Sequence, residues 1–294
     1  MTNGGVEGLV LKNYGGFYYV QDAKLDIYEC KLRGKIKQAV LTGDKVLFTP
    51  LEQGRGILET ISRRRNELQR PRIANVDLLL IVMAHNQPAP SLVLLDRLLI
   101  NASCKELTPY IILNKMDLPE DENASIITSY YPRKGFNLIK SSVRNNIGID
   151  SIRVAIANRI AVLAGPSGTG KSSLLNLLAE GVGIKTQDVS KKIGRGRHTT
   201  RHVELYPLRN GGLIADTPGF GVLDPPDMQS RELAYHFPEF YDLSNECRFG
   251  DCLHYGEKEC AVKEAVKENI IAEYRYRNYL TMLEELIKNE RCYR

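Results

Sequence analysis

Residues 165–172 read Gly-Pro-Ser-Gly-Thr-Gly-Lys-Ser and match G-x-x-x-x-G-K-[ST] in full. No other stretch of the chain constrains its fold as much. An apolar run at 160–164 precedes the motif, and a Leu- and Ala-rich stretch at 171–179 follows it. Such a loop works only between a strand and a helix. Its glycines let backbone N–H groups turn toward phosphate, and the helix N-terminus adds a favourable dipole. The chain is therefore committed to an α/β sheet carrying a nucleoside triphosphate site. Gly165, Pro166, Ser167, Gly168, Thr169 and Gly170 form the expected cradle, with Ser173 beside it. Lys171 would reach the β- and γ-phosphates as a catalytic charge, and the Ser172 hydroxyl would ligate Mg²⁺.

The base is specified elsewhere. Asn114, Lys115, Met116 and Asp117 spell N-K-x-D directly after the apolar run 110–113. A carboxylate at Asp117 can accept from both N1–H and the 2-amino group of guanine, whereas adenine would leave it unpaired. Asn114 can serve the purine O6/N7 edge, and the Lys115 stem can lie over the ring. Ser141 and Ser142 follow a strand-like run at 137–140 and are expected to touch the base from the other side. Asp216-Thr217-Pro218-Gly219 closes the run 211–215, giving Asp216 as a second Mg²⁺ end and Gly219 an N–H for the γ-phosphate. Thr199 and Thr200 lie between these motifs, where a switch threonine would bind Mg²⁺, and Thr200 is preferred.

These parts stand in an unusual order. In the ordinary GTPase arrangement the P-loop, switch threonine and D-x-x-G precede N-K-x-D and the small-residue loop. Here N-K-x-D and Ser141-Ser142 come first. A circular permutation accounts for this with the sheet kept and the chain cut elsewhere. The cut makes D-x-x-G lead straight into the C-terminal segment, which would tether nucleotide state to the orientation of that segment.

Composition places the flanking regions. Residues 1–75 carry 13 Lys+Arg against 8 Asp+Glu, and the other 219 residues carry 27 of each, so the net excess is N-terminal and points to nucleic acid. Runs at 6–12, 16–21, 25–32, 44–49 and 56–62 suit a small closed barrel, with an OB-fold leading and an SH3-like barrel as the alternative. Arg63-Arg64-Arg65 and Arg70-Pro71-Arg72 read as a basic connector. Strand-like runs 76–84, 110–114, 137–140, 159–164, 202–208 and 211–215 then alternate with helical stretches 91–106, 148–158 and 171–179, implying a mostly parallel sheet covered on both faces. Residues 261–290 read as one or two amphipathic helices, with Ile271, Tyr274, Leu280, Leu283 and Ile287 as the spaced apolar positions.

Cys247, Cys252, His254 and Cys260 give C-x₄-C-x-H-x₅-C, a donor set for one closed, structural zinc; free buried cysteines beside an unrelated histidine are the alternative. Cys30, Cys104 and Cys292 are scattered and expected to be unligated. The longest apolar run, 78–84, is far below the roughly 20 residues of a membrane span. Nothing at the start reads as a signal peptide. Six cysteines are too sparse for a disulfide scaffold, so a cytoplasmic protein without a membrane partner is expected.

Barrel, permuted motifs and Cys/His element together resemble the RsgA (YjeQ/YloQ) family of small-ribosomal-subunit-dependent GTPases. The resemblance implies a multidomain α/β chain: an OB-fold-like RNA-binding barrel at 1–68, a circularly permuted GTPase domain at 69–223 and a helical zinc-binding domain at 224–294. It implies GTP/GDP, Mg²⁺ and one structural Zn²⁺ on the Cys₃His set. It also implies binding to the small ribosomal subunit and its rRNA late in maturation, with subunit-stimulated hydrolysis coupled to release. A monomer is expected. Phe220 stands where many GTPases keep a water-orienting Gln, so intrinsic turnover should be slow. His198 is the candidate for positioning the attacking water, with RNA contact as its competing role. It lies in a basic stretch, 185–201, with six Lys+Arg against Asp188 alone. The alternative for the whole chain is a nucleotide-gated RNA-binding module in which hydrolysis is incidental.

Overall fold

Alternating hydrophobics near the N-terminus close on themselves. The computed structural model describes residues 5–34, 36–69, 71–179, 203–215 and 228–292, with Cys292 described by its backbone alone. Strands β1 (Val6–Tyr14), β2 (Phe17–Asp22), β3 (Ile27–Leu32), β4 (Lys45–Pro50) and β5 (Arg55–Ile61) form a barrel in the order β1-β2-β3-β5-β4. It closes where β4 pairs with β1, and β3–β5 is its parallel pair. Closure removes the exposed edges that a five-stranded sheet would otherwise offer. Val10, Val20, Cys30, Val46, Phe48 and Leu58 fill the interior. Burial pushes the Cys30 thiol up to about 11, consistent with an inert core position. A bulge between Val10 and Lys12 turns Leu11 the other way, into the core of the adjoining sheet.

The basic connector is more ordered than its composition suggests. β6 (Glu67–Gln69) and β7 (Arg72–Ala74) pair as a short hairpin, and the expected boundary at 68/69 falls inside it. Leu68 and Ile73 of this hairpin are buried with the sheet's core. Arg64 does not face solvent: its Nε and Nη2 donate to Asp44 at 2.7 and 2.8 Å, and Asp44 is fully buried. Arg65 pairs with Asp77 at 2.8 Å. Arg64 thus fastens the connector to the barrel, and Arg65 fastens it to the residue that leads into the sheet. Part of the N-terminal charge excess is neutralised internally.

The sheet consists of β8 (Leu78–Ala84), β9 (Thr108–Asn114), β10 (Asn137–Lys140), β11 (Ile160–Ala164), β12 (Leu205–Pro207) and β13 (Leu213–Ala215), ordered β10-β9-β8-β11-β13-β12. All neighbours are parallel except β12–β13. Every residue of β8 is buried, as a strand covered on both faces requires. Its alternate side chains feed two cores. Leu79, Ile81 and Met83 pack with α1 (Leu92–Cys104) and α2 (Glu122–Ser129); Leu78, Leu80 and Val82 pack with α3 (Ile149–Ile156) and α4 (Lys171–Ala179). Counted from the P-loop strand β11, the spatial order is 6-5-4-1-3-2, which places the P-loop at the middle of the sheet. The permutation changes where the chain begins and leaves the neighbours in place.

After a 3₁₀ turn (Ser230–His236) come α5 (Pro238–Ser244), α6 (Ala261–Lys267) and α7 (Glu273–Cys292). The stretch 261–290 is thus two helices, broken between Lys267 and Glu273. Their core contains Leu233, Phe237, Phe240, Val262, Ile271, Tyr279 and Leu283, and also Ile100 from α1. The buried stripe of α7 differs from the expected one. Ile271 and Leu283 are buried and Tyr274, Leu280 and Ile287 pack half-buried against the cores, but Arg275, Asn278, Tyr279, Met282 and Leu286 complete the buried stripe, two of them polar. No helix among the described residues is long and apolar enough to cross a membrane.

Candidate functional site

The C-terminal ends of β9, β10 and β11 bring three distant loops together, at the edge where open α/β sheets bind ligands. Asn114 ends β9 and is 2% exposed. Its Nδ2 donates to the Thr169 carbonyl of the P-loop at 2.9 Å, and its Oδ1 accepts from the Ser141 hydroxyl at 3.3 Å. From its motif, Asn114 is expected at the purine edge. Here it is mainly a brace joining all three loops, with one amide hydrogen left over. Lys115 adopts a left-handed backbone (φ 63°), and its ammonium donates to the Gln87 carbonyl. Met116 N donates to the Ser141 carbonyl at 3.1 Å. Asp117 Oδ1 accepts from the fully buried Ser142 hydroxyl at 2.6 Å. That bond, helped by Arg144 and Lys115, holds the Asp117 carboxyl below its usual range. It is therefore a ready acceptor pair at a half-open rim.

The P-loop leaves β11 at Gly165, whose φ of 132° and close approach to the Val82 carbonyl, 2.2 Å from where a Cβ would sit, admit glycine alone. At Gly170 a Cβ would lie 2.4 Å from Asn114 Nδ2, so the brace between motifs depends on this glycine. Thr169 is buried and donates to the Pro166 carbonyl at 3.1 Å, while Ser167 and Gly168 are exposed. Lys171 Nζ donates to the carbonyls of Gly165 and Pro166 at 2.9 and 2.7 Å, which holds the ammonium over the loop. Ser172 and Ser173 occupy the first turn of α4, Ser173 exposed and Ser172 half-buried. Thr199, Thr200, His198, Asp216, Gly219 and Phe220 lie outside the described residues, as does the segment from D-x-x-G to the C-terminal helices on which the expected coupling rests.

The ligating atoms of Cys247, Cys252, His254 and Cys260 all lie within 4.8 Å of one another. A tetrahedral zinc with bonds of about 2.3 Å to sulfur and 2.0 Å to nitrogen has S···S edges near 3.8 Å and S···N edges near 3.5 Å. The cluster shows 3.9 Å between Cys247 and Cys260 Sγ, and 3.6 and 3.4 Å from His254 Nδ1 to those sulfurs. The other ring nitrogen, Nε2, lies 3.2 Å from the Ser244 hydroxyl, which in turn donates to the Phe240 carbonyl. That chain of donors directs the Nδ1 lone pair into the cluster, the orientation a metal-bound histidine needs. Burial lowers His254 and pushes Cys252 up to about 12, so the Cys252 thiol needs a bound cation to ionise near neutral pH. The residues fit a structural metal site.

Two features escaped sequence reasoning. One is the loop after β8, whose Gln87 carbonyl receives Lys115. The other is a buried ionic hub between sheet and C-terminal helices. Arg275, 1% exposed, donates through Nε to Glu239 at 2.7 Å and through Nη1 to Asp96 of α1. Tyr131 and Asn278 each donate to Asp96 at 2.6 Å, and Tyr130 donates to Glu239 at 3.1 Å. Burial pushes Asp96 up against the pull of Arg275, whereas at Glu239 the arginine overrides burial and holds the carboxyl low.

A P-loop strand at the centre of a parallel sheet, with N-K-x-D and Ser-Ser loops delivered from earlier in the chain, defines a circularly permuted P-loop GTPase. The chain belongs to the RsgA GTPase family, whose model matches residues 61–225, and the model of the RsgA N-terminal domain matches residues 7–58. It is 47% identical to the small ribosomal subunit biogenesis GTPase RsgA of Carboxydothermus hydrogenoformans, over 97% of this chain and 99% of that one. The crystal structure of YjeQ from Thermotoga maritima superposes with a TM-score of 0.83 at 34% identity, covering 96% of this chain and 98% of that one. YloQ, described as a circularly permuted GTPase, superposes with a TM-score of 0.80 at 35% identity, covering 97% and 96%. The chain is accordingly a GTP hydrolase.

Proposed function

We propose that this GTPase binds the small ribosomal subunit late in its maturation, and that the subunit stimulates hydrolysis of GTP to GDP and phosphate, which is coupled to release. The observation that carries the nucleotide half is the Asn114 brace: one side chain holds the base loops and the P-loop in a single site. The partner follows from family membership and from the name of the Carboxydothermus relative.

In this reading the Asp117 carboxylate accepts from guanine N1–H and the 2-amino group, with Ser142 fixing its rotamer. The Lys115 stem covers the ring, and Met116, Ser141 and Asn114 complete the base pocket. The P-loop N–H groups from Gly165 to Ser173 surround the phosphates, and Lys171 exchanges its two loop carbonyls for β- and γ-phosphate oxygens. Ser172, Asp216 and Thr200 are the proposed Mg²⁺ ligands, with Mg²⁺ neutralising phosphate charge. Gly219 faces the γ-phosphate, and His198 positions water once the basic stretch 185–201 docks on rRNA. Cys247, Cys252, His254 and Cys260 hold one zinc that fixes the C-terminal core. We further propose three parts, 1–68, 69–223 and 224–294, the first two joined through the β6–β7 hairpin, and a cytoplasmic monomer.

Turnover measured with purified small subunits, with large subunits and with neither tests this reading. Large stimulation by small subunits alone is expected. Equal turnover in all three would favour the nucleotide-gated RNA-binding module, in which hydrolysis is incidental.

A further inference from the structure

His85 follows the last residue of β8 and is 5% exposed, close to the base-recognition loop yet without a part in the nucleotide chemistry. We propose that His85 is a positioning residue for guanine recognition, a donor that holds the N-K-x-D loop in the geometry in which both Asp117 oxygens meet the base. The inference rests on the guanine-site reading.

Three contacts from this one residue span the loop. Its backbone N–H donates to the Asn114 carbonyl at 2.7 Å, extending the β8–β9 ladder by one residue. Its carbonyl accepts from Asp121 N at 3.3 Å. Its imidazole Nδ1 lies 3.0 Å from the Leu118 carbonyl, next to Asp117. A carbonyl can only accept, so Nδ1 carries a hydrogen and donates it to Leu118. Nε2 is buried, makes no aligned hydrogen bond and sits 3.4 Å from the Glu120 carboxylate. Neighbouring residues repeat the pattern: Asn86 Nδ2 donates to the Pro119 carbonyl at 3.2 Å, and the Gln87 carbonyl takes the Lys115 ammonium.

The loop needs such support because its own bonding is sparse. Lys115 is left-handed, and the turn is closed by Leu118 N donating to the Lys115 carbonyl at 2.9 Å. Asp117 lies within that turn, so a change at Leu118 rotates the carboxylate. Small misplacements of a recognition group are expensive. The second hydrogen bond, to the 2-amino group, should suffer first, because it demands that both carboxylate oxygens lie in the plane of the base.

Hypoxanthine keeps N1–H and lacks the 2-amino group, so the ratio of GDP to inosine diphosphate affinity reads that second bond. The ratio is measured for the wild-type chain, His85→Leu and His85→Asn, with concentrations counted by active-site titration. Asparagine is chosen because its Nδ2 can donate from near the position of Nδ1. Replacing histidine by leucine should weaken GDP about tenfold, the worth of one hydrogen bond, and weaken inosine diphosphate less, so that the ratio narrows severalfold. Asparagine should restore it. His85→Ala replaces the leucine variant if that one does not fold. A purely structural role would reduce the active fraction for both nucleotides and leave the ratio unchanged, and that result overturns the inference. An asparagine ratio as low as the leucine one also overturns it. Wild-type protein binding GDP, inosine diphosphate and ADP equally would instead overturn the guanine-site reading itself, and His85's role with it.

Discussion

Two polar clusters in this molecule use the same residue types and end in opposite conditions. At the Arg275 hub every strong group is spent: Nε and Nη2 on Glu239, Nη1 on Asp96, and both Asp96 oxygens on Tyr131, Asn278 and the arginine. The side chains of Arg275, Asp96 and Glu239 are at most 2% exposed. At the base loop, Asn114 and Ser142 are buried, but Asn114 keeps one amide hydrogen and Asp117 keeps 13% of its side chain at the rim, with its second oxygen 3.9 Å from Arg144. A charged cluster closed on itself is structural, and one that leaves oriented acceptors at a half-open edge is poised for a ligand.

The hub is the place to test that difference hardest. Arg275→Met removes the one cation from between two buried carboxylates and should cost about 3–5 kcal/mol of stability in denaturant unfolding. The folded fraction should keep the wild-type preference for guanine. A stable Arg275→Met protein with altered base preference would make the hub part of the nucleotide site and erase the contrast.

Ser142→Ala probes the other cluster and should act through pH. The Asp117 carboxyl is held low chiefly by the Ser142 hydroxyl, so its acceptor form persists as pH falls until that lowered value is crossed. Without the hydroxyl the value rises, and GDP affinity should begin to fall at a higher pH than in wild type. The difference should be about tenfold in acid and small near neutrality. Identical pH profiles would mean that Ser142 does not tune Asp117.

The exposed pair Arg277–Glu273, which brackets Arg275 along α7, marks the lower limit. Arg277→Ala should change stability by no more than about 0.5 kcal/mol, because its side chain is 72% exposed and already solvated. A loss as large as that of Arg275→Met would show that burial is not what distinguishes the two arginines.

Legibility in the sequence follows the range of the interactions. The P-loop, N-K-x-D and the Cys/His cluster could be read because each places its chemistry within a few residues. The barrel strands could be read because inward and outward positions alternate. The hub could not, since Asp96 and Arg275 are 179 positions apart and each resembles an ordinary surface charge. Arg64 misled for the same reason: its partner Asp44 lies 20 residues upstream, so a buried ion pair read as part of a basic connector. His85 carried no pattern at all, and only the end of β8 beside β9 reveals what it touches.

Competition at the nucleotide site is the most direct trial of the idea that motifs from residues 114–117, 141–142 and 165–173 form one guanine-specific site despite their permuted order. A labelled GDP is displaced from the full-length protein by unlabelled GDP or ADP, in wild type and in Asp117→Ala. The expected result is a GDP preference of on the order of a thousandfold or more in wild type, because adenine leaves the Asp117 carboxylate unpaired, and the loss of most of that preference in the variant. ADP competing as well as GDP in wild type, or a preference untouched by Asp117→Ala, would contradict it.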